Sequence, residues 1–321
     1  MLLPALAIVA GFVVLIWSAE RFIEGAGATA KHLGMPPLLI GILVVGFGTS
    51  APEMVVSAFA ALDGRPNLAL GNAYGSNIIN ISLVIGITAL IAPITIHSKI
   101  IRKELPLLVA LMLFSGWQLS DGLLSRADGI VLIIGFFLLL GWSAFSATRG
   151  GDDSLAREMD IELIAHPMPL KLAVFWLVLG SIALLISSRM LVWGAVSIAD
   201  GLGVDELVIG LTIVALGTSL PELAASVAAI LKNEHDIAIG NIIGSNMFNL
   251  LAVVGIAGVI HPAPITPEVL TRDWPVMLLL TMALFVMAYG RYGQGSIQRH
   301  QGGLLLSAFF AYNGWLYFSL S

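Results

Sequence analysis

The chain has 321 residues, 58% of them hydrophobic and only 11% charged, with a mean hydropathy of +0.97. Soluble domains carry about 25% charged residues, so a globule surrounded by water is excluded. A net charge of −5 with no basic patch argues against a nucleic-acid partner, and the lack of cysteine excludes disulfides, thiolate metal sites and a cysteine nucleophile.

A membrane-crossing helix needs about 20 mostly apolar residues. Ten stretches meet this, at 2–20, 36–62, 68–92, 104–120, 127–147, 169–190, 205–231, 237–260, 273–290 and 303–320. The first has no positively charged leader and no cleavage site, and it reads as a retained span rather than a signal peptide. The fourth and ninth are short and carry Pro near their start. The runs are continuous and lack the alternation of a transmembrane barrel, so the expected fold is an all-α integral membrane protein of about ten helices. Between the fifth and sixth spans lies one polar stretch, 149–168, whose acids Asp152, Asp153, Glu158, Asp160 and Glu162 read as a solvated linker rather than a calcium sensor.

Orientation follows from Lys and Arg placement. Arg65, Arg126, Arg189 and Arg272 fall on one side, and the other eleven Lys and Arg, Arg21, Lys31, Lys99 and Lys232 among them, fall on the opposite side. That majority puts the linker in the cytoplasm of an inner-membrane protein, with both termini outside. Trp17, Trp117, Trp142, Trp193 and Trp274 sit near span ends, as interfacial anchors do. The six histidines fall in or near loops without a metal-ligand spacing and receive no chemistry.

The informative feature is self-similarity at a fixed offset of 169 residues. Gly48-Thr49-Ser50-Ala51-Pro52-Glu53 matches Gly217-Thr218-Ser219-Leu220-Pro221-Glu222, and the segment from Gly71 to Asn80 matches that from Gly240 to Asn249. About 17 of the 39 positions from Gly48 to Gly86 are identical to their partners without a gap. Each half holds five spans, an odd number, so the halves 1–148 and 169–321 enter the membrane from opposite sides as inverted repeats. Secondary transporters of this design place their site at the midplane where the repeats meet.

A carboxylate within a span costs at least about 3 kcal/mol to insert and faces protein or water. Glu53 and Glu222 are such carboxylates at matched positions. Pro52 and Pro221 have no N–H, so the carbonyls of Gly48 and Gly217 lose their helical partners. Thr49 and Ser50, with Thr218 and Ser219, share the helical face of the glutamates, and Ser57 and Ser226 extend it. On the next span Asn72, Ser76 and Asn80 form one polar stripe, mirrored by Asn241, Ser245 and Asn249. Gly71, Gly75, Gly240 and Gly244 permit close helix approach. Asn77 and Asn246, one position off the stripe, suit either helix-to-helix hydrogen bonding or ion contact. The candidate ligands are all oxygens, which suits a hard cation. Two carboxylates balance one Ca²⁺, while Na⁺ or protons could replace it. The residue pattern is that of an antiporter, with a passive cation channel as the reading from another class; no nucleophile–base arrangement suggests an enzyme.

These two motifs, G-T-S-x-P-E followed by G-S-N-x-x-N, resemble the sodium/calcium exchanger family of the calcium/cation antiporters, in its bacterial and archaeal form. The resemblance implies exchange of Ca²⁺ for Na⁺ by alternating access, without a cofactor and within one monomer. It implies Glu53 and Glu222, with the main chain of Thr49 and Thr218, around the central Ca²⁺. It also implies flanking Na⁺ positions at Ser50, Ser219, Ser76 and Ser245, with the main chain of Gly46 and Ala215. Asn80 and Asn249 would line the centre, and the first and sixth spans would slide across the other eight. Several relatives have Asp at the position of Asn249. Asn at both places leaves only two carboxylates, closer twofold symmetry, and room for H⁺ coupling.

Overall fold

The computed structural model describes residues 2–34, 37–64, 66–96, 101–149, 168–201, 215–288 and 295–320. Most of the expected linker, at 150–167, lies outside these. The described residues form ten helical runs: α1 (Leu2–Leu33), α2 (37–62), α3 (Pro66–Ile91), α4 (Ile101–Gln118), α5 (Arg126–Arg149), α6 (Leu170–Gly201), α7 (215–231), α8 (His235–Ile260), α9 (Val269–Ala288) and α10 (Arg299–Leu320). Six of them, α1, α3, α5, α6, α8 and α9, are long and apolar enough to cross a bilayer, and the bent α2 makes a seventh. Arg102, Lys103 and Glu104 crowd the first turn of α4, and the described part of α7 starts only at Ala215. The fold is all-α and membrane-spanning.

Burial orders the helices. In α3 and α8, 78% and 89% of the most apolar stretch is buried, against 22% in both α1 and α6. The first pair is therefore the centre of the bundle, and the second an outer layer whose far face meets lipid. Two of the π-helical turns among the described residues stand at matched places in the central pair, Asn80–Val84 and Asn249–Val253. Such turns shift helix register locally and often mark functional sites.

The two halves exchange contacts reciprocally. Strand β1 (Ile94–Ile96), after α3, pairs antiparallel with β4 (Gly295–Ile297), before α10. Its counterpart after α8, β3 (Ala263–Pro264), pairs with β2 (Leu123–Leu124), before α5. The same exchange governs helix packing, with Gly86 of α3 against Gly302 of α10 and Gly255 of α8 against Gly129 of α5. His235 accepts a hydrogen bond from the Thr95 main-chain N–H at 3.3 Å, so the start of α8 also holds β1.

Helices α1 and α6 run antiparallel over their whole length. A Cβ on Gly11 would stand 2.9 Å from Leu191, on Gly25 2.5 Å from the Leu177 nitrogen, on Gly180 2.8 Å from the Phe22 Cα, and on Gly194 2.7 Å from the Pro4 carbonyl oxygen. Gly11 and Gly180 are 169 residues apart, as are Gly25 and Gly194. The duplication thus extends to the first span of each half. Small residues here let backbones meet, as dispersion rather than hydrophobicity drives helix pairing in lipid.

Both helices run well past their expected ends. On α1 the partly exposed charges just beyond residue 20, Arg21 and Glu24, are paired. Arg21 donates to Glu24 at 2.8 Å and lies 5.3 Å from the Trp176 ring centre, and Lys232, just after α7, donates to Glu24 at 2.9 Å. Trp274, expected as an interfacial anchor, instead packs on Gly116 and donates to the Met112 carbonyl at 2.8 Å. Nearby, Tyr312 donates to Asp273 at 2.7 Å.

Candidate cation-binding site

Helix α2 breaks at Ser50 (φ −82°, ψ 0°) and bends by 48°; α7 breaks at the matching Ser219 (φ −91°, ψ 3°). Pro52 and Pro221 follow in the first turn after each break, where a missing N–H costs nothing. Glu53 and Glu222 therefore also stand in the first turn of a half-helix, inside the bundle, and each is 1% exposed.

The crossings of α2 with α8 and of α7 with α3 build the walls. Gly41 of α2 lies so close to α8 that a Cβ there would be 2.6 Å from the Ile237 carbonyl oxygen, and one on Gly244 would be 2.7 Å from that of Ile42. Residues 204–214, which the repeat would set against Gly71 and Gly75, lie outside the described residues. Ser50 donates to Glu222 Oε1 at 3.3 Å, and Ser245 donates to the same oxygen at 3.4 Å. Ser245 is also 3.4 Å from the Gly46 carbonyl oxygen, so this hydroxyl links the two halves. Thr49 donates to Asn241 Oδ1 at 3.0 Å, with Val45 and Gly46 carbonyls as further acceptors. Thr218 stands beside Glu53 as Thr49 does beside Glu222. Ser76 and Ser219 are buried as well. Ala215 opens the described part of α7; its side chain lies outside the description.

The asparagines divide the work in a way the stripe alone does not reveal. Asn72 donates to the Glu53 carbonyl at 3.2 Å and to Ser57 Oγ at 3.0 Å; Asn241 donates to the Glu222 carbonyl at 3.3 Å and to Ser226 Oγ at 2.9 Å. These two staple the glutamate-bearing half-helices to the next helix. Asn77 and Asn246, in turn, hydrogen-bond between helices rather than opening onto the site: Asn80 donates to Asn246 Oδ1 and Asn249 donates to Asn77 Oδ1.

Some buried oxygens are left over. Both Glu53 carboxylate oxygens, Glu222 Oε2, Asn80 Oδ1, Asn249 Oδ1 and Ser219 Oγ have no hydrogen-bond partner of regular geometry among the described residues. Burying a polar group without a partner costs free energy, and burying a charge costs far more unless it is compensated. The two carboxylates are also close enough to repel one another. A cation bound among these oxygens compensates both effects. The donors are hard oxygens, and no cluster of three or more His, Cys, Asp or Glu occurs among the described residues. The arrangement therefore suits a hard mono- or divalent cation rather than a transition metal.

Comparison with known proteins covers nearly the whole chain. A family profile described as sodium/calcium exchanger protein matches residues 3–145 and 172–318. CaxA of Alkalimonas amylolytica, provisionally named an antiporter, is 47% identical over 99% of this chain and 100% of its own. The inner membrane protein YrbG of Escherichia coli is 41% identical over 99% of this chain and 98% of its own. Among solved structures, the sodium-calcium exchanger NCX_Mj soaked with Na⁺ and Ca²⁺ superposes with a TM-score of 0.83 at 30% identity, covering 98% of both chains.

Proposed function

The chain belongs to the sodium/calcium exchanger protein family, and on that premise we propose that it is a secondary-active antiporter exchanging Ca²⁺ for Na⁺ at one midplane site. The observation that carries the reading is the set of buried oxygens, contributed by both halves around Glu53 and Glu222, that have no regular hydrogen-bond partner among the described residues. In this reading one Ca²⁺ sits between the two carboxylates, with the main chain of Thr49 and Thr218 and the amide oxygens of Asn80 and Asn249. Na⁺ takes the flanking positions built from Ser50, Ser219, Ser76 and Ser245 with the main chain of Gly46 and Ala215.

Exchange follows from charge. An empty pair of buried carboxylates is costly, so one ion leaves readily only as another arrives. Alternating access comes from α1 and α6 sliding as a unit over the other eight helices; their glycine-lined mutual contact and large lipid-facing area support this. The halves 1–148 and 169–321 are the two repeats, the 149–168 linker is cytoplasmic, both termini face outward, and one chain suffices for transport. H⁺ coupling is the second reading, favoured by Asn at both 80 and 249: two protons on the glutamates neutralise the site as fully as one Ca²⁺ does.

Ca²⁺ uptake into proteoliposomes with opposing Na⁺, H⁺ or K⁺ gradients separates these. Uptake driven by Na⁺ is expected. Uptake driven by pH and indifferent to Na⁺ replaces the coupling ion, and uptake indifferent to every gradient overturns the antiporter reading.

A further inference from the structure

Resting on the reading that this site holds Ca²⁺, we propose that Asn77 and Asn246 are positioning residues that decide which end of the Asn249 and Asn80 amides is turned toward the ion. A carboxamide presents an acceptor oxygen on one side and a donor NH₂ of nearly the same shape on the other. Only the oxygen can ligate a cation, so a neutral amide in this site needs something to turn it the right way. A carboxylate, with oxygen at both ends, does not.

The structure contains such a device. Asn249 Nδ2 donates to Asn77 Oδ1 at 3.1 Å. Asn77 is itself fixed, because its Nδ2 donates to the main-chain carbonyl of Asn246 at 3.3 Å, with Met277 Sδ beside it at 3.4 Å. A carbonyl can only accept. Turning Asn77 over would set oxygen against oxygen there and NH₂ against NH₂ at Asn249. The orientation is thus relayed from a helix backbone through Asn77 to Asn249, whose Oδ1 is left buried without a partner among the described residues. Asn80 is held in the same sense by Asn246 Oδ1 at 3.0 Å, which frees its own Oδ1.

All four side chains are at most 1% exposed, so bulk water does not sort the amides. Asn77 and Asn246 are themselves 169 residues apart, so each half positions the other half's ligand. The relay is fuller on one side. Asn246 Nδ2 has no partner among the described residues, so nothing else fixes Asn246 as the carbonyl fixes Asn77. Asn77 is accordingly the stronger of the two.

The test is a double-mutant cycle on the full chain, read by Ca²⁺ uptake kinetics and by Ca²⁺-dependent thermal stabilisation of the purified protein. Asn77→Ala should raise the Ca²⁺ concentration for half-saturation roughly 10- to 100-fold, as loss of a ligand-orienting partner does, with a smaller effect on the maximal rate. Combined with Asn249→Asp, which needs no orienting, the same change should cost less than about threefold relative to Asn249→Asp alone, a non-additivity expected only of coupled residues. Equal losses in the two backgrounds, or no loss in the first, would overturn the proposal. Asn77→Ser, too short to span the gap, serves if the alanine variant does not fold; wild-type Ca²⁺ dependence in it overturns the proposal too. If the unaltered protein neither transports nor is stabilised by Ca²⁺, the underlying function fails instead, and the two failures are distinct.

Discussion

Replacing Glu53 with Gln changes charge while keeping shape, and the structure sets the size of the effect. The side chain is 1% exposed, neither of its oxygens has a hydrogen-bond partner of regular geometry among the described residues, and the opposing charge in the proposed complex is the ion itself. Removing one member of a buried charge pair costs about 2–5 kcal/mol. At tenfold per 1.4 kcal/mol, that is a loss of roughly 30-fold to several thousand-fold in Ca²⁺ affinity. The ion-free protein should move the other way. At alkaline pH, where both glutamates are ionised, Glu53→Gln removes a buried charge and its repulsion with Glu222, so unfolding in chelator should become harder by about 1–3 kcal/mol. Thermal unfolding of the purified protein, with and without Ca²⁺, measures both effects, and proteoliposome uptake checks that exchange stops. A variant with wild-type Ca²⁺ dependence, or one less stable than wild type in chelator, refutes the reasoning.

Three further outcomes are expected. Gly180→Ala sets a Cβ 2.8 Å from the Phe22 Cα and should lower stability by about 1–3 kcal/mol, read by thermal unfolding in detergent. Tyr312→Phe removes a 2.7 Å bond to the Asp273 carboxylate and should cost about 1.5–3 kcal/mol in the same assay. Lys232→Ala breaks a pair with Glu24 whose side chains remain 29% and 30% exposed; it should cost less than about 1 kcal/mol, and the difference should vanish in high salt.

Much of the site was legible because its chemistry is foreign to a membrane span. Glu53, Glu222 and the prolines before them stand out against apolar neighbours, and the 169-residue offset pairs them without any structure. The stripe of Asn72, Ser76 and Asn80 was visible as a stripe, but its division of labour was not. Periodicity says which face a side chain shares; it does not say that Asn72 bonds the backbone of the preceding helix while Asn80 leaves an oxygen free. The extension of the repeat into α1 and α6 was hidden for another reason. Between Gly11 and Gly25 most residues differ from their partners, and only the two glycines, Leu15 matched by Leu184 and Ser18 matched by Ser187 keep the register. Strands of two or three residues carry no period at all. α1 runs past the expected end at residue 20 through Arg21 and Glu24, whose charges are met by each other, by Lys232 and by the Trp176 ring.

The exchanged strands bear on how the chain is made. β1 is complete once residue 96 has been synthesised, yet its partner at Gly295–Ile297 is separated from it by most of the remaining polypeptide. Gly86 waits equally long for Gly302. The first repeat thus leaves the ribosome with an unmatched strand edge and an uncovered helix face, which β4 and α10 later complete. A chain stopped before β4 therefore leaves β1 and Gly86 without their partners, although β2 and β3 can already pair and every residue proposed to touch the ion is already present.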